Sequence, residues 1–342
     1  YCNDTAMNRM KQIYCTIALL AVGSWVMAQE NDFTQYYLNL PSVNPGFTGM
    51  NEYMDLRSGV REGWNNFGIK NSNVYLSAYT ALGNASRSGR KNNSFRISNP
   101  ALWDEIQTDK KFRRRMGLGS MLTQRTVGPY KSITASVNFA YHLPISNALS
   151  ISLGSKAGYM NQRIDFSGLT VRDDVNDVFY NNLLAANQGT QNTVTVDFGA
   201  LLYSNRFYFG VSTNNLVAER LNGEFLFDLH DGMRYRVQTG AYFPLSAEVS
   251  LSPAVTAAYA DGYDLKWSAT MRMRYKDFLF VGAGIEPDSK VSVLLGVATT
   301  NLSIGYSYDM YTSSINNFNV NTHEIVLGLA LFNKYKLKPR FW

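Results

Sequence analysis

The side chains best suited to chemistry are few and badly placed for it. The chain has three histidines, His142, His230 and His323. A serine hydrolase needs a His within reach of its nucleophile, oriented by a carboxylate or amide. His142 is followed by Leu143-Pro144, and His230 sits in an Asp-Leu-His-Asp-Gly stretch; neither adjoins a Ser nucleophile motif. His323 and Glu324 are adjacent, and on a strand adjacent side chains point to opposite faces. They cannot form a metal pair alone, and no HExxH spacing exists. Asp173, Asp174, Asn176 and Asp177 cluster, but without the Gly and distal Glu of a calcium loop, so a solvated acidic loop is expected. No glycine-rich phosphate loop stands between a strand and a helix. The expectation is a protein that is not an enzyme, with no cofactor and no metal.

What must be positioned is therefore a surface, and the front of the chain says where. Arg9 and Lys11 precede an apolar run from Ile13 to Met27, and Val26-Met27-Ala28 ends it with small residues. That is a secretory signal peptide. The run is about 15 residues, short of the roughly 20 that a spanning helix needs. Residues 1–28 are assigned to the signal and what precedes it. Cys2 and Cys15 fall within them, so the mature chain holds no disulfide, thiolate metal site or cysteine nucleophile.

The body is rich in Tyr (22) and Phe (19), and only 17% of the chain is charged. Its mean hydropathy is slightly negative. A helical membrane protein cannot look like that; a barrel can, because each strand shows lipid only every second residue. The net charge of +6 is spread between loops and polar strand faces and forms no recognisable nucleic-acid motif, so no nucleic acid is expected as a partner.

Fourteen strands are predicted, over 53–64, 71–81, 116–127, 131–143, 148–164, 193–203, 207–217, 233–243, 247–260, 263–276, 278–285, 291–298, 302–311 and 323–332. Many approach the 9–11 residues of a tilted membrane strand. Leu149, Ile151 and Leu153 alternate with Ser150, Ser152 and Gly154. Trp267, Met271 and Met273 alternate with Ser268, Arg272 and Arg274. An Arg facing lipid near the midplane costs roughly 2–4 kcal/mol, so Arg272 and Arg274 should face the lumen. Glycines inside strands, such as Gly117 and Gly154, should relieve crowding in a curved wall. Short links near 146, 204, 245, 276 and 299 alternate with longer ones, the pattern of tight periplasmic turns and larger outer loops. An exported chain of this kind fits an all-β fold: an antiparallel outer-membrane β-barrel of about 14 strands over 53–342. Residues 82–115 form a basic periplasmic connection, and Asn99-Pro100 there could open a short helix.

Residues 32–49 read DFTQYYLNLPSVNPGFTG. Asn44-Pro45 fixes a turn, since Pro45 locks its own φ and biases Asn44 away from helix; Gly49 permits positive φ. Residues 29–52 are expected to form a plug-like or rim-packing periplasmic segment. Gln35, Tyr36, Asn39, Asn44, Pro45 and Gly49, then Arg61 and Trp64, then the late Gly-Tyr-Ser-Tyr-Asp block with Tyr306 and Asp309 and the His-Glu-Ile block with His323 and Glu324, together resemble the PorP/SprF family of type IX secretion system membrane proteins. Gly46 departs from the family, which often has Ala. The resemblance spans essentially the mature chain. It implies a bacterial outer-membrane barrel, seated in outer-membrane lipid. Its partners would be the type IX secretion machinery and a large, adhesin-like cargo protein carrying a C-terminal targeting domain. Some members are linked to gliding motility. The motif residues would support folding or bind partners. The alternative is a passive outer-membrane channel for small or hydrophobic solutes.

Overall fold

The computed structural model describes residues 33–64, 71–82, 114–165, 190–221, 232–261, 264–287, 290–312 and 321–333. The signal segment, most of the basic connection, the acidic loop and His230 lie outside the described residues.

The strands run in chain order: β1 (Met54–Trp64), β2 (Asn71–Leu82), β3 (Arg115–Val127), β4 (Tyr130–Pro144), β5 (Leu149–Ile164), β6 (Thr190–Ser204), β7 (Phe207–Arg220), β8 (Arg234–Ala241), β9 (Phe243–Pro244), β10 (Val249–Ala260), β11 (Lys266–Tyr275), β12 (Leu279–Glu286), β13 (Lys290–Ala298), β14 (Leu302–Tyr311) and β15 (Asn321–Leu331). The two-residue β9 pairs with β10 and continues β8 past Tyr242. The wall is thus a closed barrel of 14 antiparallel strands. Closure is direct: β1 pairs with β15 from Met54↔Leu331 to Trp64↔Asn321. Among the described residues each strand but the two-residue β9 is paired on both sides, which is the condition for a sheet to lie in hydrocarbon.

Period-two patterning decides which face meets which medium. Leu76, Leu122, Val137, Leu153, Val237, Met271, Met273, Leu295 and Leu327 are exposed on the outer face. Such a continuous apolar surface is incompatible with water and fits a lipid-facing band. Arg272 and Arg274 are buried on the other face, as the cost of placing them in lipid requires.

The described turns at the end that holds Met54 and Leu331 are tight. Ile145 and Ser146 both donate their N–H to Leu149 O, and Leu245 and Ser246 do the same to Val249 O. The two turns carry the same Pro-aliphatic-Ser sequence, and each Ser hydroxyl accepts a backbone N–H two residues on. Lys276 and Asp277 have φ of 50° and 53°, and Phe278 N–H donates to Tyr275 O at 3.0 Å. This is the primed two-residue turn that matches strand twist. In outer-membrane barrels this short-turn end is the periplasmic one.

Between β6 and β7 the register shifts at Val196/Phe198. Buried Asp197 explains the break. It accepts from Asn214 Nδ2 and Asn215 N and pairs with Lys156.

Candidate functional site

The apolar core of this barrel is made largely by the residues before the first strand. Tyr36, Tyr37, Leu38, Leu40, Val43, Phe47 and Met50 are all buried. They pack with inward-facing Tyr75, Leu201, Tyr203, Tyr208, Phe280, Leu294 and Val326, which come from strands all round the wall. A segment that touches so many sides of a cylinder lies inside it. Residues 33–53 therefore occupy the lumen.

This segment is a chain of short turns. Tyr36–Asn39 is a 3₁₀ turn, Leu40–Val43 one turn of α-helix with Pro41 in its first turn, and Pro45–Phe47 a second 3₁₀ turn. Asn44 caps the last: its Oδ1 accepts Gly46 N–H at 2.8 Å. Its Nδ2 donates to Ala200 O and Val211 O of the wall, at 3.3 and 3.2 Å. One amide thus orders a turn and fastens it to β6 and β7.

Close approach of plug to wall is possible because the wall presents glycines. A Cβ on Gly154 would lie 2.4 Å from Pro45 C; on Gly199, 2.0 Å from Asn44 Oδ1; on Gly305, 2.3 Å from Gln35 Oε1. A Cβ on Gly117 would lie 1.9 Å from Thr48 O. Plug Gly49 faces Gly117 directly, at φ +72°, with room for no Cβ on either side. These glycines serve the plug first; easing wall curvature does not explain contacts of this kind. Gly119, whose Cβ would strike the Tyr79 ring, makes room for a wall neighbour.

At the long-loop end the plug is held by charge. Glu324 accepts Thr34 N at 2.8 Å and Gln35 N at 2.9 Å. Arg61 pairs with Asp309 at 2.9 Å and with Glu324 at 3.2 Å, all three side chains about 1% exposed. Arg61 also donates to Thr34 Oγ1, Tyr311 OH and Thr322 Oγ1. Lys290 donates to Thr34 Oγ1 at 3.0 Å and lies 3.7 Å from Asp309. Arg61 and Lys290 face the carboxylates of Asp309 and Glu324, with Glu286 also 3.7 Å from Lys290, and their remaining hydrogen-bonding groups mostly find partners, as buried ions must.

At the short-turn end an imidazole and a phenol hold the plug, backed by the ion pair of Arg115 with Glu52. His142 Nε2 lies 2.8 Å from Thr48 O, a carbonyl that can only accept. That fixes a proton on Nε2, and Nδ1 lies in hydrogen-bond reach of Tyr203 OH at 3.0 Å. Tyr203 OH in turn accepts from Arg115, which reaches Glu52. Burial, with Asp55 beside it, raises the Tyr53 phenol above its ordinary range.

Most motif residues named from sequence meet in this one assembly. Gln35, Tyr36, Asn39, Asn44, Pro45 and Gly49 are in the plug; Arg61, Asp309 and Glu324 anchor it. Asn39 Nδ2 donates to Ser77 at 3.3 Å. The Tyr37 ring takes Arg272 on its face, Cζ 3.7 Å from the centroid. Tyr306 and His323 lie elsewhere. They point outward, where Tyr306 OH meets His323 Nδ1 at 2.8 Å and the Tyr308 ring lies 5.0 Å from the imidazole. Trp64 is the last residue of β1, opposite Asn321. Sequence reasoning missed Thr34, Lys290, His142, Tyr203 and the wall glycines as plug contacts. A Gly at an inward strand position was the available signal for the last.

A family model described as type IX secretion system membrane protein PorP/SprF matches residues 26–329. Comparison with curated proteins gave no match. Among solved structures the fold is similar to the CymD monoaromatic hydrocarbon channel (12% identity, TM-score 0.45, covering 89% of this chain and 93% of that one). It is also similar to Omp33 of Acinetobacter baumannii (9% identity, TM-score 0.44, 83% and 100%) and to the toluene transporter TodX of Pseudomonas putida (10% identity, TM-score 0.42, 87% and 93%). The chain belongs to the PorP/SprF family and is an outer-membrane β-barrel.

Proposed function

We propose that this PorP/SprF barrel is an accessory component of type IX secretion that assists export or surface attachment of particular adhesin-like cargo by binding protein. The observation that carries the reading is the occupied lumen. A solute channel needs a continuous wet path, whereas here the middle of the barrel is taken by buried Tyr36, Leu38, Val43 and Phe47. Burial of an apolar cluster of this size is the main force favouring the filled state. With the interior committed, the groups left for a partner are those of the rims and loops.

The test has two arms. Affinity capture of the tagged barrel from detergent-solubilised outer membranes should recover a large secreted protein or a machinery subunit, and deleting the gene should block surface display of that cargo. Planar-bilayer recording should give no large, stable openings. Stable openings, with secretion intact in the deletion strain, would refute the proposal and favour the channel reading.

A further inference from the structure

The outer face of β4 is apolar from Leu143 through Phe139, Val137 and Ala135 to Ile133, and the next outward residue is Lys131. The ten residue steps from Leu143 to Ile133, at about 3.3 Å each and a tilt of about 40°, rise roughly 25 Å, the height of a barrel's apolar band. Lys131 therefore stands at the edge of the hydrocarbon on the long-loop side. Its cross-strand neighbour on β5 is Arg163. Both are exposed on the outer face, with Cβ atoms about 4.5–5.5 Å apart. Like charges directly opposite one another are unfavourable. Among the described residues neither makes a hydrogen bond or an ion pair.

Below this pair, on the same face, the wall carries a groove of about 700 Å³ across β1–β6. A cylinder is convex, and the hollow arises because its floor is small. Ala78, Ser120, Ala135 and Ala157 are outward residues of four adjacent strands, set among larger neighbours such as Leu122 and Tyr159. Ala135 stands opposite both of those neighbours. It lies four residues down β4 from Lys131, about 13 Å along the strand. An acyl chain spans half of a roughly 30 Å hydrocarbon core, about 15 Å. A chain hanging from a head group at Lys131 and Arg163 therefore reaches the groove. A guanidinium and an ammonium without a carboxylate of their own match a phosphate, and an apolar hollow matches hydrocarbon. We propose that β2–β5 hold one phosphate-bearing lipid of the outer leaflet: its phosphate bridges Lys131 and Arg163, and one acyl chain fills the groove. Snorkelling toward any passing phosphate accounts for either cation alone; the pair set above a matching hollow selects a single lipid. A lipid held there fixes the height at which the long-loop end stands out of the membrane, whatever protein the barrel binds.

The test uses the detergent-solubilised protein, with native mass spectrometry reading the bound lipid. The probes are dioleoyl phosphatidic acid, dioleoylglycerol (the same chains without phosphate) and glycerol phosphate (no chains). Phosphatidic acid should bind saturably, one copy per barrel, and at least about tenfold more tightly than dioleoylglycerol, the worth of one charged hydrogen bond. Excess glycerol phosphate should not displace it. Lys131→Gln/Arg163→Gln should abolish the preference for the phosphate. Ala135→Phe/Ala157→Phe, whose rings point away from the lumen and leave the strand ladder intact, should fill the groove and lower the affinity by a similar factor. Lys276→Gln, at the opposite rim beside Glu248, should leave binding unchanged. Equal binding of the two lipids, or wild-type binding by either folded double variant, overturns the site. Displacement by glycerol phosphate overturns it too, since the groove would then contribute nothing.

Discussion

Gly154→Val tests whether the wall glycines are seats for the plug. A Cβ at position 154 would lie 2.4 Å from Pro45 C and 2.5 Å from both Gly46 N and Pro45 O. Ordinary carbon contacts need about 3.5–4.0 Å, so the turn at Pro45–Phe47 must retreat by roughly 1 Å or more. All three atoms are backbone, and no rotamer change can absorb the clash. Asn44 ties the same turn to Ala200 O and Val211 O, so retreat also strains those bonds. Overpacking typically costs about 1–3 kcal/mol, and with backbone on the far side the upper end applies, a shift near a hundredfold in the seated fraction. The barrel itself should survive, because position 154 faces the lumen and its ladder partners are unchanged. Hydrogen exchange of residues 36–50 is the assay. Protection there should fall by about 10²-fold while β12–β14 keeps its own. Gly284→Ala is the control, since its Cβ would meet no plug atom, but Thr270 Cγ2 at 3.2 Å, Ser292 Cβ at 3.5 Å and Ala269 O at 3.7 Å. Equal protection in Gly154→Val and wild type, with both folded, would refute the seat mechanism.

Three further outcomes follow from the same contacts. Arg61→Met leaves buried Asp309 and Glu324 with Lys290, which Glu286 shares at 3.7 Å. Breaking such a pair costs about 3–5 kcal/mol, to be read as a lower Tm and as early loss of the compact band on heated gels. Gly49→Ala must hold a Cβ at φ +72° against Gly117 Cα at 2.3 Å. The backbone penalty alone is about 1–2 kcal/mol, and exchange protection of residues 47–53 should fall accordingly. Asn44→Asp keeps the acceptor for Gly46 N but turns a carboxylate toward two carbonyls. The expected loss is about 1–3 kcal/mol, larger than for Gly46→Ala, whose Cβ would meet Asn44 Oδ1 at 3.0 Å and Leu201 Cβ at 3.2 Å; paired unfolding curves rank the two.

The wall was legible because its physics is local. Residues 302–311 alternate Leu302, Ile304 and Tyr306 with Ser303, Gly305 and Ser307, and a period of two between lipid and lumen leaves little freedom. Boundaries that came out differently did so where pairing extends past the apolar pattern. Lys290 joins β13 because Asp309 and Thr34 satisfy its charge, and β6 begins at Thr190 because Gln191 and Thr193 bond each other inside. The break at Tyr242 was invisible as well: Tyr242 N still reaches Arg206 O, continuing the β7–β8 pairing past Phe207↔Ala241, and the next residue, Phe243, pairs with Leu251 of β10. The plug contacts were the least legible. Thr34 lies hundreds of residues from Asp309 and Glu324, and a lone Thr gives no sign of that. Gly154 reads equally well as a curvature residue until Pro45 is seen against it.

The late motif shows why its residues travel together although they do different work. Along β14 and β15 each position alternates between two media. Ser307 and Asp309 face in while Tyr306 and Tyr308 face out, and Glu324 faces in while His323 faces out. Asp309 and Glu324 hold the start of the plug; Tyr306, Tyr308 and His323 form a hydrogen-bonded aromatic cluster on the membrane side. Aromatic residues of this kind mark the bilayer interface of barrels. The same strand pair meets β1 to close the cylinder, so closure, plug anchoring and the aromatic cluster fall on three neighbouring strands. A register slip of one residue there would carry Asp309 and Glu324 into lipid and the aromatics into the lumen at once. Plug docking through Glu324 is therefore possible only in the closed register. Docking and closure should consequently be lost together in Arg61→Met, with β1–β15 amides losing exchange protection alongside those of residues 34–36. Intact β1–β15 protection beside an unprotected plug start would separate the two events and defeat this coupling.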